Sequence, residues 1–148
     1  MIKCIEVEPG KKVDFKASAF TPIQYNKLFP SRDYLKDIND LKVLSEARKR
    51  QKEDGSEGDM SGVTLQMEDY EQFVRVAYCF AYQALSPTPR PSDAQKEFRE
   101  RYPDPWDWID TFETFSIYEI LPEIIDMWFA NEKEKSKGKN SVPAPPAK

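Results

Sequence analysis

The sequence predicts a mainly α-helical α+β fold, an N-terminal β-hairpin packed on a bundle of about five helices. Three observations carry this. Apolar and polar residues alternate around Pro9-Gly10 over the first twenty positions, the pattern of a hairpin with one wet face. From Thr21 onward the apolar spacing lengthens to three and four residues, the helical period. Finally, Pro22, Pro30, Pro87, Pro91, Pro103 and Pro105 fall between or at the starts of those periodic stretches, where proline opens or ends a helix. At 148 residues the chain supports one core rather than two.

Taken in order, Ile2 to Val7 and Val13 to Phe20 form the strands, joined through Glu8 to Lys12. Val13, Phe15, Ala17 and Ala19 alternate with Asp14, Lys16 and Ser18. Two strands are marginal alone, so the hairpin must lie on helices. Thr21-Pro22-Ile23-Gln24 reads as a helix start, with Thr21 as cap, Pro22 in the first turn and Gln24 reaching back. Pro30 ends that helix, and a second begins near Ser31. Tyr34, Leu35, Ile38, Leu41 and Leu44 lie on its apolar side, with Asp33, Lys36, Asp37 and Asp40 mostly opposite.

Residues 48–62, RKRQKEDGSEGDMSG, carry almost no apolar side chain and read as a mobile charged loop. Their acidic residues do not match the spacing of a calcium loop. The main helix follows over Glu68 to Leu85. Tyr70, Phe73, Val74, Ala77, Tyr78, Ala81, Ala84 and Leu85 share its apolar face, while Glu68, Glu71, Gln72, Arg75 and Gln83 lie opposite.

Pro87 to Pro91 is a stiff connector. Ser92-Asp93-Ala94-Gln95 is a capping box opening a short helix to about Tyr102. Asp104-Pro105 starts another turn, bearing Trp106, Trp108, Ile109 and Phe112. Ser116 caps a last helix with the stripe Ile117, Ile120, Leu121, Ile124, Ile125, Trp128 and Phe129. Pro122 predicts a bend in it, or a start delayed to about Leu121. The domain thus spans 1–131, and 132–148, without period or large hydrophobes, reads as a disordered tail.

The chemistry is mostly one of exclusions. The chain has no histidine, which removes the usual general base and the commonest transition-metal ligand. Its glycines form no phosphate cradle. Cys4 and Cys79 belong to no motif and read as small buried thiols in a reducing cytoplasm. Carboxylate pairs such as Asp107/Asp110 and Glu119/Glu123 read as solvent-facing charges. A net charge of −4 and pI near 5.0 argue against binding driven by nucleic-acid phosphates. No apolar run approaches the ~20 residues that span a bilayer, and Met1 to Lys12 does not resemble a secretory signal. The expectation is a non-enzyme with no catalytic, cofactor or metal site.

What stands out is the aromatic cluster over 106–129. Its bland explanation is core, since each buried ring contributes ~1.5–3 kcal/mol. The sharper one is an exposed groove gripping a partner helix through aromatic anchors. Trp106, Trp108, Phe112, Tyr118 and Trp128 are the expected partner-binding residues. Residues 70–131 carry a net charge of −6, so the expected partner is amphipathic and lysine-bearing.

The segment FKASAFTPIQYNKLFPSRDYLKDI (15–38) resembles the N-terminal part of tail assembly chaperones from long-tailed bacteriophages and prophages of Gram-positive bacteria. The Ala/Tyr-rich stretch Tyr70 to Gln83 and WDWIDTFETFSIYEILPEIIDMW (106–128) are similar to later parts of that family. One departure is Pro30-Ser31, where the family often has Gly and a basic residue. The resemblance implies a protein without enzymatic activity or cofactor that binds the tape-measure protein and keeps it soluble during tail-tube assembly. The major tail-tube protein is a further candidate partner. The resemblance also implies work in the host bacterial cytoplasm and absence from the mature virion. It leaves a homo-oligomer open, and it suggests a frameshifted longer product joined at the PAPPAK end. Its competitors are a structural minor tail or tube component and a host-directed protein-binding adaptor.

Overall fold

The computed structural model describes residues 1–53 and 65–141, with side chains described over 1–50 and 65–130. β1 (Ile2–Glu8) and β2 (Lys11–Lys16) pair antiparallel, with Ile2 opposite Lys16 and Ile5 opposite Val13. Gly10 turns the chain at φ +79°, a left-handed conformation that costs a glycine little. The register slips between Glu6 and Glu8, the mark of a bulge. Ile5, Val7, Phe15 and Ala17 form the buried face. The expected second strand overran: β2 ends at Lys16, Ala17 still exchanges two hydrogen bonds with Met1 at 3.1 Å, and Ala19, beyond that pair, is exposed.

Six helices follow: α1 (Thr21–Leu28), α2 (Tyr34–Glu53), α3 (Met67–Gln83), α4 (Asp93–Arg101), α5 (Pro105–Ile109) and α6 (Ile117–Ser141). This is the mainly helical α+β architecture the periodicity predicts. No helix among the described residues is long and apolar enough to cross a membrane. The core forms around α3, which touches β2, α1, α2, α4, α5 and α6.

That encirclement corrects the one-sided reading of α3. Phe73, Val74, Ala77, Tyr78 and Ala81 are buried as expected, but so are Gln72, Val76, Cys79, Phe80 and Gln83. Neighbours on most sides leave only a half-buried remnant of the wet face at Glu71, Arg75 and Tyr82. Gln72 and Gln83 tolerate burial because both are hydrogen-bonded. Gln83 accepts from Thr21 Oγ1 at 2.7 Å and donates to Ser18 Oγ at 2.7 Å. Thr21 is therefore no helix cap. It lies inside α1, whose N-cap is Phe20, and its hydroxyl ties α1 to α3. Leu85, beyond the end of α3, is exposed.

Two boundaries also move. α2 continues through Arg48 to Glu53, where a charged loop was expected from 48; residues 54–62 lie outside the described ones. The backbone of α6 is helical to Ser141, where a disordered tail was expected from 132; residues 142–148 lie outside the described ones. Lys, Arg, Glu and Gln are good helix formers without any apolar stripe, so the loss of period marks where packing ends, not where the helix ends. α6 runs from Ile117 through Pro122, with Ser116 Oγ accepting from Glu119 N at 3.4 Å. The start is thus at Ile117 and not delayed to Leu121. Cys79 is fully buried, but Cys4 is exposed: it lies on the strand face opposite Ile5 and Val7.

Candidate partner-binding groove

The five aromatic residues singled out by the sequence do not form one surface. Asp104 Oδ1 accepts from the backbone N–H groups of Trp106 and Asp107 at 3.0 and 3.1 Å, and Pro105 fills the first helical position of α5. This single capped turn sends Trp106 and Trp108 in different directions. Trp108 is only 4% exposed and sits edge-on to Tyr78, Phe112 and Phe115 at 5.2–5.9 Å. It belongs to the core and cannot anchor a partner, a correction to its expected role. Phe112 is half-buried under the Lys11 ammonium, and Trp128 is half-buried edge-on to Tyr34. Trp106, 42% exposed, and Tyr118, 47% exposed, are open to solvent, and they line different concavities.

The larger concavity, about 500 Å³, runs between α2 and the first turns of α6. Leu44, Leu65, Ile117 and Leu121 contribute its apolar lining. Arg48 and Lys49 stand on the α2 side, Tyr118 and Glu119 on the α6 side. The Arg48 guanidinium lies 4.3 Å from the Tyr118 ring centroid, a cation–π contact that holds the ring in place. Pro122, also in the lining, offers no N–H there and presents apolar ring to the groove.

The groove joins two segments of opposite net charge. One wall comes from the acidic 70–131 segment, but the other comes from residues 1–50, whose net charge is +4. Arg48, Lys49 and Glu119 meet in its lining. Charge summed along the chain could not reveal which segments face each other. Leu44 was visible as part of an apolar stripe and Arg48 only as part of a charged run; Leu65 had no sequence signal.

A buried polar network holds the α2 wall against α1 and α3. Asp37, placed by its spacing on the wet side of α2, is 1% exposed. It accepts from Tyr25 Oη at 2.6 Å, Arg32 Nη2 at 2.7 Å, Arg32 Nε at 3.2 Å and Gln72 Nε2 at 3.1 Å. Burial pushes its carboxyl up, but Arg32, Tyr25 and Gln72 together outweigh that and hold it below the ordinary carboxylate range. Leu35, expected on the apolar side, is exposed instead. Burial, then the Asp37 carboxylate, pushes the Tyr25 phenol up, so it stays a donor.

Among the described residues, no group of three or more Cys, Asp or Glu side chains is arranged to hold a metal ion. No family model, curated protein or solved structure matches this chain. Fold and groove therefore define a class: a mainly helical α+β domain built around one largely enclosed helix, with an apolar groove edged by Arg48, Lys49 and Glu119.

Proposed function

We propose that the chain is a non-catalytic protein-binding domain of the tail assembly chaperone kind. It holds an apolar helical segment of a tape-measure protein in the α2–α6 groove and keeps that protein soluble until the tail tube forms around it. The observation that carries this reading is the groove itself, apolar in lining, with an exposed tyrosine braced by Arg48. A helix laid in such a groove buries its seam residues against Leu44, Ile117 and Leu121, while a flanking carboxylate meets Lys49 at the rim. The resemblance of residues 15–38 and 106–128 to tail assembly chaperones supports the choice of partner.

Co-expression with the tape-measure protein tests it. The wild-type chain should keep the tape measure in the soluble fraction and co-purify with it. Tyr118→Ala and Leu44→Glu should lose most of this effect while retaining the far-UV circular dichroism of the native fold. Finished particles should lack the protein. Soluble tape measure with both variants, or the protein in washed virions, refutes the reading.

A further inference from the structure

A second concavity of about 360 Å³ shares no lining residue with the groove. It opens where the α1–α2 turn meets α3, the end of α4 and the start of α5. Pro30, Pro103 and Pro105 stiffen its rim, and Trp106 forms one wall. Three guanidinium groups also line it, those of Arg32, Arg75 and Arg99, in a chain whose net charge is −4.

The three arginines are not equally occupied. Arg32 is neutralised by Asp37. Arg99 donates through Nη1 to the Tyr78 hydroxyl and the Pro103 carbonyl, both at 3.0 Å. These two bonds fix the plane of its fork and leave Nε and Nη2 without an acceptor among the described residues. The Arg75 guanidinium lies 5.9 Å from the Trp106 ring centroid and interacts with the Tyr25 hydroxyl, but its Nε is buried with no hydrogen-bond acceptor. A buried N–H in that state costs free energy that an incoming acceptor returns. Asp104, the carboxylate in the lining, already uses Oδ1 to cap α5. Arg99 therefore keeps donors to spare, and Arg75 keeps one unsatisfied N–H.

We infer that this cleft binds a carboxylate-bearing peptide side chain, an Asp or Glu flanked by an apolar residue, presented by a protein partner. A guanidinium fork matches the flat carboxylate with paired N–H donors. Trp106 and the three prolines offer an apolar shelf for the neighbouring side chain. Inorganic phosphate shares the fork chemistry but brings no apolar neighbour for the Trp106 shelf. The inference does not rest on the α2–α6 groove and can fail or hold independently of it.

The test is a titration of the ¹⁵N-labelled full chain, read at the Trp106 indole and Arg75 Nε–H resonances. The probes are the capped dipeptides Ac-Leu-Glu-NH₂ and Ac-Leu-Gln-NH₂, and inorganic phosphate. Ac-Leu-Glu-NH₂ should shift both resonances with an apparent Kd of about 1–10 mM. The glutamine analogue should bind about tenfold more weakly, because it lacks the charge the forks select. Arg99→Gln and Trp106→Ala should each weaken the shift while the remaining amide spectrum stays native, and Tyr118→Ala should leave it unchanged. Equal shifts from both dipeptides, no shift at all, or an undiminished response in Arg99→Gln overturns the inference. Phosphate binding as tightly as the glutamate dipeptide overturns the choice of carboxylate.

Discussion

Replacing Asp37 by Asn removes one charge and almost no volume from the most connected buried side chain in the domain. Asp37 accepts four hydrogen bonds from three residues on three elements of the fold. An asparagine must point an N–H₂ group at one of those donors, and Arg32 loses its counterion. Breaking a fully buried ion pair costs ~3–5 kcal/mol. The Arg32 side chain is 29% exposed, so water recovers part of that, and the expected loss is about 2–4 kcal/mol. At roughly 2–4 °C per kcal/mol for a chain of this size, the Tm falls by about 5–15 °C.

Urea unfolding followed by circular dichroism measures this, with an unchanged m-value showing that the unfolded state is the same. Asp40→Asn is the control. Its carboxylate also pairs with a cation and Gln72, but it is half in solvent, and such pairs contribute about 0–1 kcal/mol. Arg32→Met in the Asp37→Asn background should recover part of the loss, because the orphaned charge disappears with it. If Asp37→Asn costs no more than Asp40→Asn, the network is not what locks α2 to α3. The pH dependence follows with a definite sign. The folded pKa of Asp37 is lowered, so the unfolded state binds the extra proton first on acidification. The contribution is complete above the ordinary aspartate pKa of ~3.9 and is lost as pH falls from there through the lower folded value. Asp37→Asn should lack that part of the acid limb.

Two further outcomes concern single sites. Ellman's reagent should react with Cys4 in the native protein and with Cys79 only on unfolding, since Cys79 is fully buried and burial raises its thiol pKa; two equally fast thiols would contradict the enclosure of α3. Gly10→Ala should cost about 1 kcal/mol through backbone strain alone, because Gly10 has φ +79° and an added Cβ would meet nothing within 4 Å. A larger loss in urea unfolding would mean that the turn makes contacts beyond its dihedral angle.

Local signals were the legible part of this fold. The Ser92/Gln95 capping box forms with both reciprocal bonds at 3.1 Å. Asp104-Pro105 opens α5, and Ser116 opens α6. Each needs only residues three or four apart, so the sequence states it directly. Which side of a helix stays wet is different, because it depends on how many neighbours arrive. Gln72, Gln83 and Asp37 read as surface residues and became buried network members once α3 was surrounded. The candidate site suffered most from this. Of the rings expected to bind a partner, Tyr118 and Trp106 are exposed, yet Trp108, two residues from Trp106, is core. The opposite wall of the groove comes from α2, about seventy residues away in sequence.

The wrapping of α3 also sets the order in which the chain can mature during synthesis. The hairpin leaves the ribosome before α3, and its Phe15 face has no lasting surface until α3 follows. Its other strand waits longer still: Lys3 pairs with Glu123, 120 residues downstream. At ~5–20 residues per second of translation, the earliest-made strands spend several seconds with their apolar side uncovered. Nascent-chain protection should therefore come late and nearly all at once, when α6 emerges and closes over β1.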